Sequence, residues 1–261
     1  MNRLVHFGIA AAFILLANAA SAHHLWLEVD GKTAQLYYGE FGGNLREVSP
    51  GLLDKLEPQA KAVSSAGERA MPAKRTSKAF ELVGDLKPGE SVIAEDPRYP
   101  IFVRSRDGTT TRSMYWPAAR YVADGSAVKP TLTLDVVPAG GEKFQIFFKG
   151  KPLAKAKVEV VAAFGWSKEE RTDDEGMISI SLPWRGSYAL EVQHADRNPG
   201  KRGDEAYDTA TYVTTLTLAH PQGATMPPLP PPAKPNRSGA FRFSPGIQAM
   251  VLAATSLPRS R

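Results

Sequence analysis

The chain has 261 residues, 43% of them hydrophobic and 23% charged, which is enough for one large globular domain or two small ones. Its lack of cysteine excludes disulfides, iron–sulfur clusters, thiolate zinc sites and a cysteine nucleophile. The formal net charge of +5 comes mainly from residues 221–261, which contain Lys and Arg but no Asp or Glu. Residues 23–220 are nearly neutral, which argues against a nucleic-acid partner.

The first 22 residues have the pattern of a secretory signal peptide. Arg3 gives a positive start, residues 4–17 are mostly apolar, and Ala20 and Ala22 supply the small side chains expected before a cleavage site. The apolar run is too short to span a membrane comfortably. The sequence therefore predicts a signal peptide over residues 1–22, cleavage after Ala22, and an exported, periplasmic protein.

From Leu25 onward the pattern is that of β-strands. Residues 25–29 and 33–38 flank a tight turn, which predicts a hairpin. Residues 52–56 are predicted to form one helical turn, and the small, polar residues 60–75 a mobile loop. Further short strands are predicted at 79–82, 91–94, 101–104 and 112–116. Together these elements predict an N-terminal β-rich domain over residues 23–128.

Strand spacing becomes more regular after Lys129-Pro130, which marks a predicted domain boundary. Strands are predicted at 131–137, 143–148, 157–162, 177–182, 187–193 and 207–218. Six short strands at hairpin spacing, with no helix between them, favour a β-sandwich over residues 129–220. Residues 221–261 are rich in proline and basic, which predicts a disordered tail. The predicted fold class of the whole chain is all-β.

Common enzyme motifs are missing from the sequence. It has no G-x-S-x-G elbow, no H-E-x-x-H helix, no phosphate-binding glycine loop and no dinucleotide fingerprint. We therefore predict that the protein is not an enzyme. Asp135, Glu159 and Glu191 lie on predicted strands and are predicted to face solvent.

Two histidines, His23 and His24, directly follow the predicted cleavage site. After cleavage, the new α-amine and the His23 ring can chelate one metal ion as a brace. Alternatively, the amine, the peptide nitrogen and the His24 ring form a planar set of three nitrogens. Cleavage after Ala20 would instead place His23 third in the chain, which also chelates copper and nickel strongly. Nitrogen ligands of this kind suit Cu(II) and Ni(II).

A third candidate ligand is His194, at the end of the strand predicted over residues 187–193. Because strand side chains alternate, His194 is predicted on the same face as Leu190 and Val192. Asp196 is two residues further on and is a candidate to orient the imidazole from the second coordination shell.

Several stretches together resemble a family of bacterial periplasmic proteins described as nickel-uptake or cobalt-transport components and formally as a domain of unknown function. The resemblance covers roughly residues 23–218, and the proline-rich tail departs from it. It rests on the stretches His23-His24-Leu25-Trp26, Leu45-Arg46-Glu47, Leu134-Asp135-Val136-Val137-Pro138, Pro183-Trp184-Arg185-Gly186, Gln193-His194-Ala195-Asp196 and Tyr212-Val213-Thr214-Thr215-Leu216-Thr217.

What the resemblance implies is an N-terminal β-rich domain followed by an immunoglobulin- or transthyretin-like sandwich, and an accessory role in transition-metal uptake. It also implies a metal site formed by His23, His24 and His194. The resulting hypothesis is a periplasmic protein that binds Ni, Co or Cu and passes the ion to a membrane transporter or an outer-membrane receptor.

Two alternatives remain open on the sequence. One is a non-catalytic adhesion or scaffold module of the cell envelope, in which metal binding is incidental. The other is a copper oxidase that uses a histidine brace, which a β-protein beginning with histidine would permit. No feature of the sequence identifies a substrate-binding surface for the second alternative.

Overall fold

The computed structural model describes residues 23–235, so the predicted signal peptide and residues 236–261 lie outside the described part of the chain. Within residues 23–235 the regular elements are strands, apart from a single 3-10 turn at Leu52–Lys55. They are β1 His24–Asp30, β2 Thr33–Glu40, β3 Leu45–Arg46, β4 Gln59–Ser64, β5 Gly67–Ala70, β6 Ala73–Arg75, β7 Phe80–Leu82, β8 Ser91–Glu95, β9 Phe102–Arg106, β10 Thr109–Val122, β11 Leu134–Gly140, β12 Lys143–Phe148, β13 Lys151–Pro152, β14 Lys157–Ala162, β15 Ser167–Arg171, β16 Met177–Ser179, β17 Trp184–Asp196, β18 Gly200–Arg202, β19 Glu205–Tyr207, β20 Thr209–His220 and β21 Ala224–Thr225.

The prediction of an all-β fold is confirmed. A central sheet of ten strands contains the path β15-β14-β17-β20-β10-β8-β4-β5. Strands from both sides of Lys129 belong to it, because β10 and β20 pair in parallel from Ser113 opposite Thr209 to Val122 opposite Leu218. The described residues all belong to one compact unit. No helix in this part of the chain is long and apolar enough to cross a membrane.

Two hydrophobic cores lie on opposite faces of the central sheet. Alternation along β10 sends Tyr115 and Ala119 into the first core and Met114 and Val122 into the second. The first core is closed by the sheet with the path β1-β2-β7-β6, and the second by the sheet with the path β11-β12-β13. Each core thus corresponds largely to one half of the chain, although the central sheet is shared.

Strand β1 reaches the central sheet through its main chain. The Thr215 hydroxyl donates to the carbonyl of Leu25 and the Thr217 hydroxyl to that of Leu27, both at 2.7 Å. These threonines are buried, so the two bonds replace hydration that the carbonyls lose on folding. They place the start of β1, where His24 lies, directly beside β20 and β17.

A buried ion pair links β10 to β11. Arg120 makes a two-pronged contact with Asp135, from Nε to Oδ1 at 2.9 Å and from Nη2 to Oδ2 at 2.6 Å, and both side chains are fully buried. The amides of Thr131 and Leu132 also donate to Oδ2. The prediction that Asp135 faces solvent is wrong, because its carboxylate neutralises an arginine that arrives from the other half of the chain.

The predicted loop over residues 60–75 is also wrong. Strands β4 and β5 form a hairpin there, and β6 follows. Ala60 and Ala62 are buried on one face of β4, while Lys61 between them is exposed and pairs with Glu68. The period-two alternation was present, but alanines supplied the apolar positions and gave only a weak signal.

The predicted disordered tail differs from the structure over residues 221–235. Strand β21 pairs in parallel with β17, and the Ala224 amide donates to the carbonyl of Pro183 at 3.1 Å. Met226 packs against the second core. Proline cannot donate a main-chain hydrogen bond. The amides of Ala224 and Ala233 and the side chain of Met226 instead attach this stretch to the rest of the described chain. The remainder of the predicted tail lies outside the described residues.

Candidate metal centre

His23 and His24 lie where the described chain enters β1, and their side chains take different directions. Leu25 and Leu27 face the first core, whereas Trp26 contacts Val161 and Ala189 on the other side of β1. His23 follows the direction of Leu25, and His24 follows that of Trp26. The two rings therefore meet different partners.

His23 contacts a buried carboxylate. Its Nε2 lies 2.7 Å from Oε1 of Glu47, whose side chain is fully buried, while the His23 side chain is 14% exposed. The ring packs against Tyr38 with centroids 5.5 Å apart. The Tyr115 hydroxyl donates to the His23 carbonyl at 2.6 Å. Main chain and side chain of the first described residue are thus both held in place.

The contact with Glu47 selects a tautomer of His23. A proton on Nε2 that points at the carboxylate makes Nδ1 the ring nitrogen with the lone pair. Metal-binding histidines commonly donate their other N–H to a carboxylate, which orients the ring and makes it more basic. The second oxygen of Glu47, Oε2, is buried and has no hydrogen-bond partner among the described residues. A cation near this group would compensate a carboxylate that is otherwise costly to bury.

His24 forms the second contact, with Nδ1 3.2 Å from Oε2 of Glu191. Burial raises the pKa of Glu191 to about 8, with further contributions from the nearby charges of Glu159 and Glu40. Burial, with a contribution from His23, lowers the pKa of His24 to about 3. The pair therefore holds one proton and no net charge at neutral pH. The prediction that Glu191 faces solvent is wrong, since β1 covers that face of β17.

Glu159 lies directly opposite Glu191 on the neighbouring strand β14. Glu159 was predicted to face solvent, and in the structure it is half-buried. The alternation that puts Val158 and Val160 into the second core sends Glu159 to the face where Glu191 lies. This proximity explains why the charge of Glu159 contributes to the raised pKa of Glu191.

The structure does not bring His194 to the N-terminal histidines. His194 shares a face of β17 with Leu190 and Val192, as predicted, and that face belongs to the second core. Its ring packs against Phe148 with centroids 4.3 Å apart, and burial lowers its pKa. His24 contacts the opposite face of the same strand through Glu191. The central sheet thus separates His194 from the predicted three-histidine site.

Asp196, the candidate to orient His194, forms its hydrogen bonds with other residues. Its carboxylate accepts hydrogen bonds from Lys149 Nζ at 3.2 Å and from the main-chain amide of Asn198 at 3.1 Å. These bonds hold its pKa below the usual range, with the Asn198 amide as the largest cause. The carboxylate is thus directed at Lys149 and Asn198, and these contacts give no support to the predicted role of orienting His194.

Among residues 23–235, no group of three or more His, Asp or Glu side chains is arranged to hold a metal ion. Sequence reasoning missed Glu47 and Glu191 as partners of the two histidines. Glu47 was part of the Leu45-Arg46-Glu47 stretch, but a motif by itself does not reveal which atom it contacts. The partners come together only through the pairing of β1 with β2 and the packing of β1 against β17.

Gly39, which pairs with both His24 and Arg46, permits the close approach of β3. It has a φ of +144°, and a Cβ placed on it would lie 2.2 Å from the Leu45 carbonyl oxygen. We expect Gly39→Ala to destabilise the protein by about 1–3 kcal/mol more than Gly31→Ala, as overpacking commonly does. Gly31 also has a positive φ, but its added Cβ would meet no atom within 4 Å. Equal urea-unfolding midpoints for the two variants would contradict this expectation.

The fold and the contacts of β1 define an all-β protein that holds two adjacent histidines against buried carboxylates. A family model described as a domain of unknown function (DUF4198) matches residues 133–196. This region runs from just before β11 to the end of β17, so it includes His194 and Glu191 but not His23 or His24. No curated protein and no solved structure matches the chain.

Proposed function

We propose that the exported protein binds one divalent transition-metal ion, Ni, Co or Cu, at the α-amine and ring of His23, and assists uptake of that metal in the periplasm. The observation that carries the proposal is the hydrogen bond from the His23 ring to buried Glu47. It makes Nδ1 the ligand nitrogen, and Nδ1 can close a chelate ring with the amine of the same residue.

The surroundings of His23 support such a site in two further ways. Glu47 is buried with one oxygen that lacks a hydrogen-bond partner among the described residues, so a nearby positive charge would lower its cost of burial. The Tyr115 hydroxyl also fixes the carbonyl of His23, which restricts the main chain beside the amine. Restricting the ligands before the metal arrives reduces the entropy lost on binding.

The contacts favour the His23 brace over the alternative set built on the His24 ring. That ring is directed at Glu191 on the other side of β1, so joining a planar set with the amine would require it to leave this partner. His194 lies on the face of β17 opposite to Glu191, so the proposal does not include it. The proposal therefore needs two nitrogen ligands from His23, with the other coordination positions filled by water or by a partner that receives the ion.

The site is tested by native mass spectrometry and calorimetry on the chain that begins at His23. We expect one Ni(II) or Cu(II) ion per chain, and loss of binding after His23→Ala or after acetylation of the amine. Glu47→Gln is expected to weaken binding by about 10- to 100-fold, as removal of an outer-shell partner does. His194→Ala is the matched control and should bind like the parent chain. Unchanged binding after His23→Ala would contradict the proposal.

The uptake role needs a separate test in cells. Strains carrying His23→Ala are expected to accumulate less of the metal at limiting supply than strains carrying His194→Ala. If metal content and metal-dependent growth are the same in both strains although the purified variant has lost binding, the scaffold alternative becomes the better account.

A further inference from the structure

We propose that a surface beside β3, formed by Tyr37, Asn44 and Arg46, is a binding site for an extended proline-rich peptide of a partner protein. We call it the Asn44 surface. Tyr37 packs on the other face of β2 from its neighbour Tyr38, which contacts His23, and the proposal does not rest on metal binding. The chain's own residues 229–233 lie on this surface, and they display the class of peptide that it accepts.

Asn44 contacts the proline-rich segment through both its side chain and its main chain. Its Nδ2 donates to the carbonyl of Pro230 at 2.8 Å, and its own carbonyl accepts from the Ala233 amide at 3.1 Å. Leu45, the next residue, forms an isolated parallel bridge with Ala233. These are main-chain contacts of the segment, so they recognise an extended backbone.

The spacing of the two contacts matches a polyproline helix. That helix has three residues per turn, so residues 230 and 233 lie on the same side. A carbonyl acceptor on this side is available at any proline, whereas the amide donor requires a residue other than proline. The segment Pro230-Pro231-Pro232-Ala233 meets both conditions. A strand would place positions 230 and 233 on opposite sides.

The Asn44 amide is held in a fixed orientation. Arg46 donates to the Asn44 Oδ1, which leaves Nδ2 directed at the segment. Arg46 is in turn bound by Glu28 at 2.7 Å, and its guanidinium lies 4.7 Å from the Tyr37 ring centroid. Tyr37 stacks on Trp26 with ring centroids 5.4 Å apart. Aromatic side chains with a fixed donor are typical of surfaces that bind polyproline helices.

The chain's own segment is held only shallowly. Leu229 is 57% exposed, and of residues 227–234 only Pro230 is half-buried. A cavity of about 640 Å³ remains beside the segment, lined by Tyr37, Arg46, Tyr121 and Leu229 among others. The segment therefore covers the rim of the cavity without filling it. A partner peptide with the same backbone pattern and a larger apolar side chain would gain contacts that Leu229 does not make.

The test uses the full exported chain and a fluorescent peptide that copies residues 225–235. Ala233→Pro removes the amide that Asn44 binds, which weakens the internal segment while keeping its polyproline geometry. Because a tethered segment competes at a high effective concentration, the peptide should bind Ala233→Pro about 3- to 10-fold more tightly than the parent chain. Adding Asn44→Asp, which removes the Nδ2 donor in nearly the same shape, should abolish that gain.

Failure of the peptide to bind Ala233→Pro at millimolar concentration would overturn the proposal, and so would binding that Asn44→Asp leaves unchanged. Analytical ultracentrifugation of Ala233→Pro distinguishes the source of the peptide. A concentration-dependent dimer would identify a second copy of this chain as the occupant and would overturn the assignment to a different partner. A monomer that binds the peptide supports it.

Discussion

Replacing Asp135 with Asn is expected to destabilise the protein by about 3–5 kcal/mol, because it leaves the guanidinium of Arg120 buried without a counter-charge. Both side chains of this pair have no solvent exposure. The substitution keeps the size of the side chain, so the loss reflects charge and hydrogen bonding more than packing. The measurement is the urea-unfolding midpoint, with the slope of the transition checked for constancy.

Two controls separate the buried charge from the pair itself. Replacing both partners, Arg120→Met with Asp135→Leu, removes the charges together and is expected to recover part of the lost stability, because the Thr131 and Leu132 amides still lose the acceptor that Asp135 provides. Glu169→Gln removes an exposed carboxylate that pairs with Lys157 and Arg171, and it should change stability by less than about 1 kcal/mol. If Asp135→Asn costs no more than Glu169→Gln, the buried pair does not carry the energy assigned to it.

The stability of the protein is expected to reach a plateau between about pH 4.5 and 6.5 and to fall on both sides. The folded Glu191 has its pKa raised from 4.5 to about 8, so the folded state binds more protons than the unfolded state between these values. Stability from this group is present at low pH and is lost as the pH rises toward 8. The folded His24 has its pKa lowered from 6.5 to about 3, so its contribution is lost as the pH falls over that range.

Between pH 4.5 and 6.5 the two slopes oppose each other. The folded state holds one proton, on Glu191, and the unfolded state also holds one, on His24, so the number of bound protons does not change on unfolding. From pH 6.5 to 8 only the Glu191 slope remains, which amounts to about 2 kcal/mol. Unfolding free energies measured across this range should show the decline. Glu191→Gln, which cannot ionise, should remove the alkaline decline. A parent chain as stable at pH 8 as at pH 6 would contradict the prediction.

Strand alternation predicted much of the second half of the chain. The bounds of β12 and β14 agree with the predicted 143–148 and 157–162, because full-sized apolar residues alternate there with polar ones. The same periodicity correctly placed His194 with Leu190 and Val192. That placement also shows why the three-histidine site does not form, since the face it assigns to His194 points away from β1.

The failures have a common physical origin. An acidic residue alternating with apolar ones on a strand usually faces solvent, and this rule misplaced Asp135 and Glu191. Their partners, Arg120 and His24, come from distant parts of the chain, and no local pattern carries that information. The sequence singled out His23 and His24 as candidate ligands, but could not reveal that each faces its own carboxylate.

The hydroxyl bonds from β20 to the carbonyls of β1 join residues 190 positions apart in the chain. Strand β10 likewise finds its parallel neighbour only in β20. The first core therefore lacks Val213, and β1 lacks these two hydrogen bonds, until the strand ending at His220 is available, however early the other residues of the core are synthesised. Contacts of such long range carry a large loop-closure cost, which is characteristic of slowly folding β-proteins. Completion of the N-terminal half therefore depends on a strand close to the C-terminal end of the described chain.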